Sequence, residues 1–307
     1  MTAPAYYDEA KVGRLVAPDV PAATAAGLAA GLPPAAEDKR RVLLLLIDAQ
    51  VDFIHEDGAL SVPGAVEDTR RTVAWIYRNA VKISAIAASL DSHIPLQIFF
   101  PTWWADPEGH HPEPFTAITT EQVESSAWMP LYEPEWSRYY VRRLEEQAKK
   151  QLMIWPFHTL MGTPGHALTP ALYEAIAFHA AARRARPRFL IKGTLPKTEF
   201  YSILEPEVKD PEDPEAELNE AFLEELLAYD AVYLAGQAKS HCVLETVTSI
   251  MRRVGDRRDL AEKFHLLTDC TSSVVHPEVD FEALAQAAYA EFSGRGLQLV
   301  TSGDAVA

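Results

Sequence analysis

Three side chains far apart in the chain have the types needed for nucleophilic chemistry. Asp48 ends the aliphatic run Val42-Leu43-Leu44-Leu45-Leu46-Ile47, where burying a carboxylate is costly unless it has partners. Lys192 ends Arg188-Phe189-Leu190-Ile191 and precedes Gly193-Thr194. Cys242 follows the apolar run 231–235 and the turn Gly236-Gln237-Ala238, and opens a helical stretch beginning at Val243. A thiol at a helix N-terminus feels the positive end of the macrodipole, which favours thiolate. The unpaired N–H groups there could hold an oxyanion. In an open α/β sheet, ligands bind outside the carboxyl ends of the strands. An acid, an ammonium and a thiol delivered to one such crevice suggest attack on a carbonyl carbon. Taken singly, each has a plainer role: a capping Asp, a solvated Lys, a buried structural Cys.

A second group of residues has the types for metal binding. Asp91-Ser92-His93 is an acid–histidine pair at i, i+2, and His158 lies in Trp155-Pro156-Phe157-His158. One carboxylate and two imidazoles suit Zn²⁺, Fe²⁺ or Mn²⁺ and leave coordination positions open. His110-His111 competes for this role, but its proline-bounded loop suggests exposed residues. His241 adjoins Cys242 and invites a Cys–His dyad, although neighbouring side chains on a tight turn diverge. Cys270, in Thr268-Asp269-Cys270-Thr271, reads as structural.

The elements that must position these groups follow from the hydrophobic pattern. Short apolar runs at 42–47, 83–88, 189–191, 231–235, 264–267 and 297–300 alternate with helical periodicity at 66–82, 168–184, 216–228, 243–254 and 279–292. Strands alternating with helices predict a three-layer α/β/α sandwich around a six-stranded, mostly parallel sheet with right-handed crossovers. Residues 1–40 are rich in Ala and Pro and read as an N-terminal arm with a short helix near 22–30. It is either a subunit-embracing or lid segment or a surface-draped tail. Residues 41–307 read as one catalytic domain carrying two insertions. One, at about 101–150, holds Trp103, Trp104, Trp128 and Trp136 and ends in Lys149-Lys150; the other, at about 205–217, is acidic and punctuated by proline.

Composition narrows the function classes. The chain has 307 residues, 48% of them hydrophobic and 23% charged, as expected of a globular protein. A net charge of −16 argues against nucleic acid, which needs a basic surface. No apolar run is long enough to span a membrane, and no secretory signal is visible. Two cysteines without a CxxC pairing predict no disulfide framework and a reducing, cytoplasmic setting.

Six ordered stretches resemble the isochorismatase-like cysteine hydrolases, and within them the nicotinamidases, over about residues 41–302. Asp48-Ala49-Gln50-Val51-Asp52-Phe53 with Gly58-Ala59-Leu60-Ser61-Val62-Pro63-Gly64 is similar to the family's D-x-Q-x-D-F and G-x-L-x-V-P-G opening. Asp91-Ser92-His93 stands where nicotinamidases carry D-W-H, and Gln97-Ile98-Phe99 lies near their H-I-S-F without its histidine. Trp155-Pro156-Phe157-His158 with Gly162-Thr163-Pro164-Gly165 matches W-P-x-H…G-T-x-G. Lys192-Gly193-Thr194 with Tyr201-Ser202 matches K-G-T…Y-S, and Gly236 to Val243 matches G-x-A-x-x-x-C-V.

The resemblance implies a catalytic triad of Asp48, Lys192 and Cys242, and metal ligands Asp91, His93 and His158 for a divalent ion, with Zn²⁺ as first choice. It also implies a cis peptide before Ala238, directing the Ala238 and Cys242 N–H groups at the substrate oxygen. Phe53 is a candidate for packing on the substrate ring, with a core role as its alternative. The activity implied is hydrolysis of nicotinamide to nicotinate and ammonia through a thioester, within NAD metabolism, by a homo-oligomer acting on a small-molecule amide. Ser92 in place of tryptophan, Phe157 where Asp is frequent, and Lys-Ser-His before the nucleophile leave another heteroaromatic amide open as substrate. Two other classes also remain open: a non-haem Fe(II) oxygenase built on the Asp–His–His set, and a non-catalytic binding module.

Overall fold

Six strands, β1 (Val42–Ile47), β2 (Ala85–Asp91), β3 (Arg188–Lys192), β4 (Ala231–Gly236), β5 (Phe264–Leu267) and β6 (Gln298–Val300), pair into one sheet in the order β6-β5-β4-β1-β2-β3. Each neighbouring pair is parallel. The computed structural model describes residues 3–148, 150–277 and 279–306, so Lys149 of the lysine pair lies outside the described residues.

The sheet is covered on both faces. Its longer helices are α1 (Val20–Ala29), α2 (Ala65–Asn79), α3 (Pro134–Arg143), α4 (Pro170–Arg183), α5 (Glu220–Leu227), α6 (Leu244–Val254) and α7 (Phe281–Gly294). Leu44 and Leu46 of β1 pack with Trp75, Ile76, Leu172 and Phe178 from α2 and α4, and with Ala23 of α1. Leu43, Leu45 and Ile47 face the other way, onto Phe222, Val247, Ile250 and Tyr289 from α5, α6 and α7. A strand buried on both faces reads as an unbroken aliphatic run, which is why Val42–Ile47 carries no alternation. Each fully buried Leu there contributes about 1.5–3 kcal/mol relative to exposure. The architecture is therefore the expected α/β/α sandwich, and the sheet is wholly parallel.

The strand ends nearest the chemistry are set by local sterics. Ile47 pairs with Gly236 in register, and the Gln237 N–H donates to the Ile47 carbonyl at 2.8 Å. Gly236 has φ +120°, and a Cβ there would lie 2.0 Å from the Ile47 carbonyl oxygen. Only glycine lets β4 end so close to β1. The Gln237–Ala238 peptide that follows is cis, at the position the sequence resemblance implied.

The arm packs on its own chain. Asp19 accepts a hydrogen bond from the Ala22 N–H to start α1, and its own N–H donates to Glu174 of α4 at 2.7 Å. Arg183 of α4 is fully buried, pairs with Asp38, and donates to the Pro33 carbonyl. The tryptophan-rich segment forms a third apolar cluster of its own, containing Phe99, Phe100, Trp103, Trp104, Tyr140 and Trp155. Among the described residues no helix is long and apolar enough to cross a membrane.

The close approach at Gly236 makes a direct prediction. Gly236→Ala should destabilise the protein by about 3–5 kcal/mol, the cost of a strained and overpacked core position. Gly294→Ala, at the end of α7 with nothing within 4 Å of the added methyl, should be neutral or stabilise by up to about 1 kcal/mol. Denaturant midpoints of the two variants test the contrast.

Candidate active site

The carboxyl ends of β1, β2 and β3 and the segment after β4 bring the predicted residues together around Lys192. Its ammonium lies 2.9 Å from Asp48 Oδ2 and 2.8 Å from Asp91 Oδ1. It also donates to the Phe200 carbonyl at 2.7 Å, with Cys242 Sγ at 3.7 Å. All four groups are buried. Asp48 leaves β1 with φ +46°, turning its carboxylate inward. Ser89, inside β2, donates to Asp48 Oδ1 at 2.6 Å and accepts the Asp48 N–H at 3.0 Å. Oδ2, by contrast, accepts no aligned hydrogen bond. It faces the Lys192 ammonium and has no second donor.

The electrostatics follow from burial and mutual charge. Burial would lower the Lys192 pKa, but Asp48 and Asp91 together hold it well above the ordinary lysine value, so the ammonium persists. Burial raises the Asp48 carboxyl, with Lys192 opposing and Asp91 adding to the rise. Burial also pushes the Cys242 thiol well above its usual value; Lys192 opposes this and the two carboxylates reinforce it. The sequence reading placed a dipole-favoured thiolate at Cys242. The structure puts the sulfur in a short π-helical turn, Lys239–Val243, that runs into α6, and burial there works against the thiolate. A proton acceptor beside the sulfur then helps the thiolate to form.

The second set converges beside the first. The donor atoms of Asp91, His93 and His158 lie within 4.8 Å of one another. His93 Nδ1 is 3.0 Å from the Gly193 carbonyl and His158 Nδ1 is 2.7 Å from the Pro156 carbonyl, so each ring donates through Nδ1 and presents Nε2. His93 Nε2 is buried without a hydrogen-bond partner, yet sits 2.9 Å from Asp91 Oδ2. Two lone pairs facing each other at that distance need a shared cation, either a proton or a metal ion. With His158 Nε2 3.9 Å from the same oxygen, the donor set fits a divalent ion of borderline softness. Burial lowers the His158 pKa to about 3, which keeps that imidazole neutral, as a ligand must be.

The motif residues between these groups are their supports. Gln50 donates to the Asp91 carbonyl at 2.8 Å and accepts the Asp91 N–H at 2.7 Å, tying the end of β1 to Asp91. Asp52 Oδ2 accepts the Thr159 N–H at 2.7 Å, fixing the residue after His158. Gly193 is required by proximity: a Cβ there would come within 2.5 Å of Asp91 Oδ1 and 2.9 Å of the His93 ring. Gln97 is used up by the Gly193 and Leu195 carbonyls and the Ile94 N–H.

A cavity of about 490 Å³ adjoins the site. Ser240 and His241, just before Cys242, form one wall; Glu199, next to Phe200, forms another; Phe99, Trp155 and Tyr201 add aromatic surface. Trp155 donates to the Tyr201 hydroxyl at 3.0 Å, and both rings pack edge-on against His241. Burial lowers the His241 pKa to about 3, so it lines the cavity as a neutral ring. Its Nδ1 pairs with Ser240 at 2.9 Å, and the Cys–His dyad reading gains no contact.

Phe53 is a core residue whose ring lies edge-on to His158, with centroids 5.5 Å apart. His110 is exposed and pairs with Asp106, while Cys270 is buried and free. Sequence reasoning missed Ser89, Glu199 and the cavity roles of Trp155, Tyr201 and His241. Ser89 left a trace, a lone hydroxyl within an otherwise apolar strand; Glu199 left none.

No family model matches the chain, and no curated protein matches it in sequence. The fold is nonetheless that of the isochorismatase-like α/β hydrolases. Yeast nicotinamidase superposes with a TM-score of 0.55 at 19% identity, covering 85% of this chain and 99% of its own. A nicotinamidase/pyrazinamidase of Acinetobacter baumanii gives 0.55 at 18%, over 87% and 98% of the two chains. An L. infantum protein solved in complex with nicotinate gives 0.51 at 20%, over 86% and 94%.

The donor geometry predicts a metal-dependent stability. Zn²⁺, Mn²⁺ or Fe²⁺ added to chelator-treated protein should raise its melting temperature, by the equivalent of about 2.7 kcal/mol at a hundred times Kd. His158→Ala should lose both the shift and the bound ion by elemental analysis. An equal shift in that variant would place the ion elsewhere.

Proposed function

We propose that this chain is an isochorismatase-family amidohydrolase that converts a small heteroaromatic carboxamide, nicotinamide first among candidates, into the carboxylic acid and ammonia. The observation that carries the reading is the single buried ammonium of Lys192 within reach of the Asp48 and Asp91 carboxyl groups and the Cys242 sulfur at once. Such an arrangement costs several kcal/mol of desolvation, and packing alone does not call for it. The nicotinamidase fold supports the same reading.

Asp48 Oδ2 takes the Cys242 proton, and the Lys192 ammonium favours the resulting thiolate. The sulfur attacks the carboxamide carbon, and the carbonyl oxygen becomes an oxyanion facing backbone donors. The Ala238 N–H donates to no acceptor among the described residues and is free for that role. The C–N bond breaks as Asp48 returns the proton to nitrogen, releasing ammonia and leaving a thioester. Asp48 then takes a proton from water, hydroxide adds to the thioester carbon, and the C–S bond breaks. Sulfur recovers the proton as the acid departs.

A divalent ion held by Asp91, His93 and His158 would supply a Lewis-acid anchor for a ring nitrogen. The Trp155–Tyr201–His241 wall offers aromatic surface for the ring itself. The Fe(II) oxygenase reading uses only the Asp–His–His set and leaves the buried Lys192–Cys242 contact without a purpose.

Cys242→Ala should abolish ammonia release from nicotinamide while metal content stays unchanged; retained turnover would overturn the scheme. The pH profile carries a further sign. The base must be unprotonated, and the folded Asp48 pKa lies above its ordinary value. The acid limb of kcat/KM should therefore fall at higher pH than an ordinary carboxylate, about 3.9, would allow. Ser89→Ala removes a hydrogen bond that favours the ionised form, and should move that limb further up.

A further inference from the structure

On one side the sheet ends at β3, whose outer edge pairs with no strand among the described residues. The Lys192 carbonyl accepts the Ser92 N–H at 2.9 Å, so Lys192 and, by alternation, Leu190 and Arg188 turn their backbone groups toward β2. Phe189 and Ile191 then present their N–H and C=O groups at the open edge. Such an edge is a template for another strand, and proteins blunt it with a bulge, an outward charge or a covering helix. β3 runs in unbroken register with β2, and its outward-facing residues are apolar. Phe189 is 39% exposed and Ile191 is 56% exposed.

The flank of this edge is apolar as well. The Phe189 ring stacks on Tyr173 of α4 with centroids 6.1 Å apart. Both line a groove of about 510 Å³ together with Leu15 and Val16 of the arm. Leu15 is itself 59% exposed, so the arm widens the apolar surface beside the strand and leaves it uncovered.

The strand is built to match itself. Arg188-Phe189-Leu190-Ile191-Lys192 reads basic, apolar, apolar, apolar, basic about Leu190. Pro187, which lacks an N–H, and Gly193, at φ +76°, bound it equally far from Leu190 on either side. A two-fold axis through Leu190 sets Phe189 opposite Ile191 of a second copy, and Ile191 opposite its Phe189. Both pairs then face each other with N–H and C=O groups, and their side chains share the groove face. The cations at the strand ends meet without net repulsion, because each is paired within its own chain. Arg188 is paired with Glu225, and Lys192 with Asp48 and Asp91. The same rotation sets the two apolar flanks on one side of the joined sheet, as an isologous contact requires.

We propose that this chain forms a two-fold dimer by antiparallel pairing of β3 with β3 of a second copy, so that one sheet runs through both. The contact holds the strand that ends on Lys192 and thereby steadies the sheet edge from which the ammonium is delivered. It stands apart from the amide reading and does not depend on it.

Sedimentation of the unaltered protein at micromolar concentration should give twice the mass of one chain. Ile191→Lys puts a charge on the open edge and should raise the dimer dissociation constant by about tenfold or more, with far-UV circular dichroism unchanged. Leu190→Cys tests the register without disturbing the edge. On the axis, residue 190 meets its own copy in a pair without hydrogen bonds, with Cα atoms about 4.5 Å apart, which suits a disulfide. Mild oxidation should therefore link two chains through Leu190→Cys and leave Arg188→Cys unlinked. Cys242 and Cys270 are buried, so the unaltered protein supplies the blank. A monomer at these concentrations, or a dimer indifferent to Ile191→Lys, would overturn the proposal. Equal cross-linking through positions 188 and 190 would overturn it too.

Discussion

The rest of the site depends on how one buried ammonium is neutralised. Lys192 has no water to solvate it, and it persists as a cation because Asp48, Asp91 and the Phe200 carbonyl surround it. Two carboxylates against one ammonium leave the pair of acids over-supplied with charge. That excess has two consequences. It adds to burial in raising the Cys242 thiol, and it makes the Asp91 side of the cluster a place where a further cation is favourable. The Asp48–Lys192–Cys242 set and the Asp91–His93–His158 set are thus two halves of one electrostatic arrangement, joined through the two oxygens of Asp91.

The fold positions these charges through backbone that the motif residues hold in place. Asp91 and Lys192 face each other in register across β2 and β3, so their side chains meet without any loop to align them. Gln50 bonds both main-chain groups of Asp91 and carries the register of β1 to β2 beyond the sheet. Gly193 and Gly236 keep the two closest backbone approaches open. These are steric and hydrogen-bonding demands, and each motif residue outside the triad answers one of them. The tryptophans of the long segment answer another. Trp103 donates to Ser137 within that segment, while Trp104 and Trp136 donate to the Ile98 and Lys197 carbonyls and tie the segment to its neighbours, with the cavity wall left to Trp155.

Much of this was legible in the sequence. Val42–Ile47 and 231–235 announced themselves because strands buried on both faces are continuously apolar, and Phe264–Leu267 did so despite His265. β2 was read as 83–88 and lies at Ala85–Asp91, because its last residues are polar: Ser89 and Asp91 leave the core to serve the site. Helix ends shifted by a few residues, as caps such as Asp280 on Ala283 and Asn219 on Phe222 decide them. The charged groups of the site were visible because a carboxylate or ammonium ending an apolar run is costly and demands a partner. The partners of Ser89, Gln50 and Glu199 were opaque because they are fixed by the meeting of strands. Nothing in the local sequence encodes that meeting.

The protonation of Cys242 shows why burial, rather than helix position, governs this nucleophile. A helix terminus offers at most about 2 kcal/mol in favourable partly buried geometries. Desolvation of a charged sulfur in a closed site is larger, and the adjacent carboxylates add to it. A thiolate therefore forms most readily when its proton has somewhere close to go, and in the proposed scheme the Asp48 carboxylate, which shares the Lys192 ammonium with the sulfur, is that place. Transfer from sulfur to Asp48 moves a negative charge from one side of Lys192 to the other and creates no new net charge in the buried site. The ammonium at 2.9 Å from the oxygen and 3.7 Å from the sulfur can stabilise either end of that transfer. Removing Lys192 would leave two buried carboxylates facing a thiol with no counter-charge, so its loss should be felt in the folded state as well as in the chemistry.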